Sequence, residues 1–298
     1  MKLLSDFDGV WTNPREEALA QGEILEAQLL AAMPAGRREA ARDWLARARL
    51  ALLEQPDRYG WVSYGRLSAF ADEDPFLAHS ALMQYVEAHA AGDALAALLC
   101  DAARERHGSP GALVSAAHAQ AVARVEATHG PGVLPDAARA GRALLAAGTE
   151  IVLVSNSGDD KLGRWFSHAG LEHASHPARA AGSLRLRGDA RKFELDPAVS
   201  DIATLGAMRF ETRRPRYEAI LREEQPDAVV GDVFSLDLSL PLVLRRREPA
   251  WRDVRLFWIV RDDTPARVRR EIERAAGGEV ECVETGFAGV AAALQSRR

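Results

Sequence analysis

The 298-residue chain carries 38 Lys and Arg against 43 Asp and Glu, a formal net charge of −5, and is 47% hydrophobic and 27% charged. That composition describes a soluble globular protein of one large or two ordinary domains, and its acidic balance argues against nucleic acid or an anionic membrane as the main partner. No apolar run approaches the roughly 18 residues of a membrane helix.

Residues 2–7 read as a short buried strand. Asp6 and Asp8 interrupt this opening apolar run too early for a signal peptide. Cys100 and Cys282 stand far apart in no metal spacing and read as buried thiols of a reducing compartment, so a cytoplasmic protein is expected. From Glu16 to about Gly130 the chain becomes rich in Ala, Leu, Glu and Arg with helical period, as in EILEAQLLAAM and DALAALLCDAARER. No run there alternates with period two, so the stretch is expected to be all-helical. Residues 58–76, with Gly60, Gly65 and five aromatics, are expected to form a long loop between helices.

From Gly132 helices and strands alternate. PDAARAGRALLAAG reads as a helix, EIVLV as a strand and DDKLGRWFSHAG as a helix. Residues 178–212 give no firm pattern beyond short strands around LRLRG and KFEL. Then come a helix over RPRYEAILREE with Pro215 near its start, a strand at DAVVG, a strand at VRLFWIV, a helix over TPARVRREIERA, a strand at VECVE and a last helix over GFAGVAAALQ. Such alternation predicts an α/β fold, a Rossmann-like parallel sheet with helices on both faces. The expected boundaries are 1–14 with 132–298 for this core and 15–131 for an inserted all-helical domain. The arginine clusters at 37–38, 245–247 and 297–298 read as solvated surface.

Open parallel sheets bind ligands at the carboxyl ends of their strands. Three predicted strands end there in polar residues: Asp6-Phe7-Asp8-Gly9, Ser155-Asn156-Ser157, and Gly231-Asp232 followed by Asp237. If these strands are neighbours, four carboxylates and a serine share one crevice. Their mutual repulsion either raises their pKa values or calls in a cation. Ligands that are all oxygen select a hard ion, Mg²⁺. A calcium loop starting at Asp6 fits less well, because Trp11 stands where that loop needs glycine and a strand precedes it. Taken singly, Ser155-Asn156 and Gly231-Asp232 would each pass as an ordinary turn.

Asp6-Phe7-Asp8-Gly9-Val10, the apolar strand ending in Ser155-Asn156, and Gly231-Asp232-Val233-Phe234-Ser235-Leu236-Asp237 together resemble, in order, the first, second and fourth motifs of the haloacid dehalogenase-like superfamily. The resemblance spans the α/β part, about 180 residues, and the long insert after the first motif resembles that family's helical cap of the first insertion type. It implies a Mg²⁺-dependent phosphatase acting on a small phosphorylated metabolite. Asp6 would be the nucleophile and Asp8 the general acid and base. Asp6, Asp8 (through its backbone carbonyl), Asp232 and Asp237 would hold the metal. The Ser155 hydroxyl and the Asn156 backbone N–H would bind phosphate oxygens at a helix N-terminus.

The family's third motif, a basic residue that neutralises the transferring phosphoryl group, has two main candidates, Lys192 and Arg214, with Lys161 as a third option. Lysine occurs only at Lys2, Lys161 and Lys192, and Lys161 reads as an exposed helix residue. Asp8 argues against the dehalogenases of the family, which lack it. An insert without lysine argues against members that form a Schiff base there. A phosphomutase, or a non-catalytic binding protein on the same fold, remains an alternative. His79, His89, His107, His118 and His129 fit no compact metal site, and Arg58 and Arg66 are candidate substrate contacts in the insert.

Overall fold

The structure, a computed structural model, describes residues 1–175 and 181–296. Residues 178–180 of the stretch without firm pattern and the arginine pair 297–298 lie outside them. The chain divides into two compact units, Met1–Asn13 with Pro131–Arg298, and Pro14–Gly130.

The first unit begins with β1 (Lys2–Ser5). The second unit follows: α1 (Arg15–Ala32), α2 (Arg38–Glu54), β2 (Gly60–Ser63), β3 (Arg66–Phe70), α3 (Pro75–His89), α4 (Ala94–His107) and α5 (Pro110–His129). Its helices close around Leu25, Leu45, Leu82, Val86, Leu99 and Leu113, all at most 1% exposed. Local chemistry starts three of them. Asp74 accepts from the Phe76 N–H (2.7 Å), Asp93 from Leu95 (2.8 Å) and Ser109 from Ala112 (3.1 Å), with Pro75 and Pro110 at the first helical position.

The expectation of an all-helical insert with a loop at 58–76 is corrected here. β2 and β3 form an antiparallel hairpin, with Ser63 opposite Arg66. Its two-residue turn has Tyr64 at φ 50° and Gly65 at φ 73°, both left-handed, which is what a tight hairpin needs. A tyrosine in that position gives no sequence signal, because Asn and Gly are the residues that announce such turns.

The first unit resumes with α6 (Pro135–Ala146), β4 (Glu150–Val154), α7 (Asp159–His168), β5 (Ala174–Ser175), β6 (Leu184–Arg187), β7 (Ile202–Leu205), β8 (Met208–Glu211) and α8 (Pro215–Glu224). It continues through β9 (Ala228–Gly231), α9 (Ser239–Arg247), β10 (Arg255–Ile259), α10 (Ala266–Ala275), β11 (Val280–Val283) and α11 (Gly286–Gln295). Among the described residues, seven strands form a parallel sheet in the order β11-β10-β9-β1-β4-β6-β5, with helices on both faces. The expected α/β core is therefore present. KFEL is a turn, not a strand, and the unassigned stretch also holds the antiparallel hairpin β7–β8.

β1 pairs with β4 on one side and β9 on the other, Leu4 lying opposite Val152 and Val229. The strand order thus reverses at β1, and the crevice of such a sheet opens at the carboxyl ends on either side of that point. Leu3, Phe7, Ile151, Leu153, Val230 and Phe257 build the core beneath it. Cys100 is buried as expected, but Cys282 is exposed, because β11 is an edge strand. No helix among the described residues is long and apolar enough to cross a membrane.

A charge network ties β4, β6 and the end of α8 to the start of β1. Fully buried Glu224 accepts from Arg185 (2.5 and 3.2 Å), Arg187 (2.8 Å) and Lys2 (3.3 Å). Burial pushes the Glu224 carboxyl up, but the hydrogen bonds from Arg185, Arg187 and Lys2 prevail and hold it at about 2, below 4.5. A depressed acid stabilises the fold fully above its ordinary pKa and loses that contribution as pH falls towards the folded value. Glu224→Gln is therefore expected to cost roughly 3 kcal/mol at neutral pH by leaving Arg185 short of a counter-charge. It should also flatten the loss of stability between about pH 4.5 and 2. Urea unfolding at pH 7 and along that acid limb tests both.

Candidate active site

Alternation along an extended chain sends successive side chains to opposite faces. Just past β1 this places Phe7 in the core, 5.6 Å from the Trp165 ring and 5.5 Å from Phe166. Trp11, buried against Phe166 and Phe287, donates through Nε1 to the Ser5 hydroxyl (2.8 Å), which donates to the Asp6 carbonyl (2.7 Å). The Asp6 N–H donates to the Val230 carbonyl (3.0 Å). The first acidic loop is thus fastened to the core and to β9. Gly9, at φ +77°, allows the close approach of the second one: a Cβ there would lie 2.0 Å from Asp232 Oδ2.

Asp6, Asp232 and Asp237 come together with one ligand atom each, all within 4.8 Å of one another. Asp232 follows β9, its carbonyl accepting from Trp258 Nε1 (2.8 Å). Asp237 lies in a π-helical turn, Phe234–Leu238, that runs into α9. Such rare turns arise where an extra residue is accommodated to aim a side chain. The Asp237 carboxylate accepts from the Val233 N–H (3.1 Å), and its carbonyl from the Tyr217 hydroxyl (2.8 Å).

Lys192 Nζ donates to both Asp6 Oδ1 and Asp237 Oδ1, at 2.6 Å each. Burial lowers its pKa, but the carboxylates of Asp237 and Asp6 outweigh that and hold it above its ordinary value, so it is a cation. Burial pushes the Asp6 carboxyl well above the carboxylate range; Asp237 and Asp232 push the same way and Lys192 pulls back. Three clustered carboxylates, all oxygen and drawn together over a glycine, fit a hard divalent cation. They form the one such group of potential metal ligands among the described residues. Of the insert's histidines, His79 bonds the Ala18 carbonyl (2.8 Å) and His89 that of Tyr85 (2.8 Å).

The two candidates for the basic residue have different positions. Arg214, fully buried at the start of α8, donates to the Lys192 carbonyl (2.5 Å). The Lys192 N–H donates to Asn156 Oδ1 (2.8 Å). Arg214 therefore grips the lysine's backbone, while Lys192 itself meets the carboxylates. The loop is held against strain, with Asp189 at φ 51° and Arg191 at φ 45°.

Asp8 stands apart from the three-carboxylate group. Ser157 Oγ donates to its Oδ2 (3.0 Å), and Lys161 Nζ lies 3.6 Å from its Oδ1. Lys161, expected to be exposed, has only 12% of its side chain accessible, and its Nζ lies over the Trp165 ring, 4.9 Å from its centroid. Ser155 is buried beside them and accepts from the Ser157 N–H (3.0 Å). α7 begins at Asp159, where the helix over DDKLGRWFSHAG was expected, three residues beyond Asn156, and the Asp159 carboxylate accepts from the Gly188 N–H (2.6 Å).

Two residues escaped the sequence reading, Tyr217 and Arg261, while Ser157 was named only as part of a strand end and Lys161 only as an option for the basic residue. Arg261 Nη1 lies 2.7 Å from Asp232 Oδ2. It follows the apolar run RLFWIV, so the signal that marked Asp6, Ser155 and Asp232, a polar residue ending a strand, marked it as well. Ser157 and Lys161 needed the turn of α7 to reach Asp8. Arg58 in the insert bonds Gln55 (2.7 Å), and Arg66 begins β3.

No protein-family model matches the chain, and no curated protein matches it. Among solved structures, it is similar to a 2-haloacid dehalogenase from Pseudomonas syringae pv. Tomato DC3000. That match covers 100% of this chain and 99% of that one, at 13% identity and a TM-score of 0.39.

Proposed function

We propose that the protein is a Mg²⁺-dependent phosphatase of the haloacid dehalogenase-like superfamily. It would hydrolyse a small, soluble phosphate ester in the cytoplasm through an aspartyl-phosphate on Asp6. The observation that carries this reading is the convergence of Asp6, Asp232 and Asp237 within 4.8 Å, with Lys192 bridging Asp6 and Asp237. Bound by Asp6, Asp232, Asp237 and the Asp8 carbonyl, Mg²⁺ would neutralise charge on the transferring phosphoryl group.

The chain's own residues divide the rest. An Asp6 oxygen attacks phosphorus, and the bond to the leaving oxygen breaks. Asp8, positioned by Ser157, gives that oxygen its proton. Asp8, now a carboxylate, takes a proton from the water that attacks the acyl-phosphate, releasing phosphate and restoring Asp6. Lys192 directs a fixed positive charge at the oxygen that attacks and at the phosphoryl group it receives. The Ser155 hydroxyl and the Asn156 backbone N–H hold phosphoryl oxygens, and Arg214 with the Asn156 amide keeps Lys192 in place.

The purified chain is expected to hydrolyse p-nitrophenyl phosphate, or a member of a panel of phosphorylated metabolites, in the presence of Mg²⁺. EDTA should abolish this and added Mg²⁺ restore it. Full activity in chelator, with no gain from Mg²⁺, would reject the metal assignment.

A further inference from the structure

We propose that Arg261 is an internal cation that holds Asp232 and releases it when a divalent cation binds, so that the protein exchanges its own guanidinium for the metal. This rests on the metal reading above. Arg261 Nη1 lies 2.7 Å from Asp232 Oδ2, whose side chain is only 1% exposed. The guanidinium sits over Gly9, where a Cβ would be 2.1 Å from Nη1 and 2.0 Å from that same oxygen. It therefore reaches into the crevice floor between the first and last acidic loops.

The charges favour Arg261 beside Asp232 in the metal-free site and its displacement once a divalent cation binds. Three carboxylates face two cations, Lys192 and Arg261. Arg261 thus relieves part of the repulsion when no metal is bound. A guanidinium nitrogen 2.7 Å from a ligand oxygen occupies the space of an incoming cation and repels it. Mg²⁺ tolerates little departure from octahedral oxygen ligation, so it needs that oxygen freed.

The side chain also has a place to go. Arg261 Nε already donates to Asp263 Oδ1 (3.2 Å), whose side chain is 53% exposed. The backbone stays fixed meanwhile: the Arg261 N–H donates to Thr264 Oγ1 (2.8 Å), and the Thr264 N–H to the Arg261 carbonyl (3.1 Å). A guanidinium is more weakly hydrated than an ammonium, which suits a group that moves between a crevice and the surface.

Calorimetric titration of the metal-stripped full chain with Mg²⁺, without substrate, tests the exchange. Arg261→Gln is expected to bind Mg²⁺ about tenfold more tightly than wild type, a difference of about 1.4 kcal/mol. Arg261→Lys should fall between the two. In EDTA the Gln variant should melt below wild type, and saturating Mg²⁺ should raise its Tm by more. The sign decides the matter, because an arginine that merely shapes Asp232 for the metal would give weaker binding when replaced. Equal or weaker Mg²⁺ affinity in Arg261→Gln overturns the inference while leaving the metal reading intact. If neither wild type nor variant binds Mg²⁺, the metal reading falls and the inference falls with it. Should Arg261→Gln not fold, Arg261→Lys carries the same comparison, with affinity at or below wild type overturning it.

Discussion

Asp6→Asn is expected to lower turnover by at least about 10⁴-fold, because loss of a covalent nucleophile leaves only binding and electrostatic contributions behind. Asp8→Asn should behave differently. Attack on an activated phosphate with a good leaving group needs no proton from Asp8, so Asp6 can still be phosphorylated. Hydrolysis of the acyl-phosphate needs a base, and the amide is none. The Asp8 variant should therefore accumulate one phosphoryl group, seen by intact-mass spectrometry after mixing with such a donor. The Asp6 variant should carry none. The structure separates the two residues in the way these roles require: Asp6 bonds Lys192 beside Asp237, while Asp8 faces Ser157 and Lys161. A phosphoryl group on another residue in Asp6→Asn would refute the assignment.

Lys192→Ala should cost about 10²-fold or more in turnover, the scale of one pre-organised electrostatic contact. It also leaves Asp6 and Asp237, both bonded to Nζ at 2.6 Å, without the charge that separates them. Arg214→Gln should lower turnover less, since its guanidinium donates to the lysine's carbonyl, at 2.5 Å, and so acts through the lysine's backbone. The double variant distinguishes positioning from direct action. If Arg214 acts through Lys192, Arg214→Gln adds little further loss once Lys192 is alanine, an interaction of the kind that groups sharing one network display. Near-normal turnover in Lys192→Ala, with a full loss in Arg214→Gln, would transfer the role to Arg214.

The legible part of this protein lay in its periodicities. Between DAVVG and GFAGVAAALQ the three strands and the helices α10 and α11 are read correctly because apolar spacing and strand ends are local properties, whereas α9 (Ser239–Arg247) was not expected. Both hairpins were missed for local reasons of another kind. β2–β3 turns on Tyr64, which carries no turn signal, and β7–β8 offers two four-residue strands whose partner is only each other. The acids Asp6, Asp232 and Asp237 were marked by one rule, a carboxylate at or just beyond a strand's carboxyl end.

Local patterning alone sets the alternation of the sheet, the carboxylates at its edge and the oxygen-only chemistry of any ion they would hold. Which of those carboxylates meet was decided by the sheet order: β1 lies between β4 and β9, and only that adjacency brings Asp6 to Asp232 across 226 residues of chain. The division of labour between Lys192 and Arg214 was likewise tertiary. Both are basic and both precede the last acidic motif, but a buried arginine that bonds a carbonyl cannot be told from one that meets an anion until the backbone between them is in place. Arg261 is the sharpest case, because a charged residue after an apolar strand has meaning only through the carboxylate that folding sets 2.7 Å away.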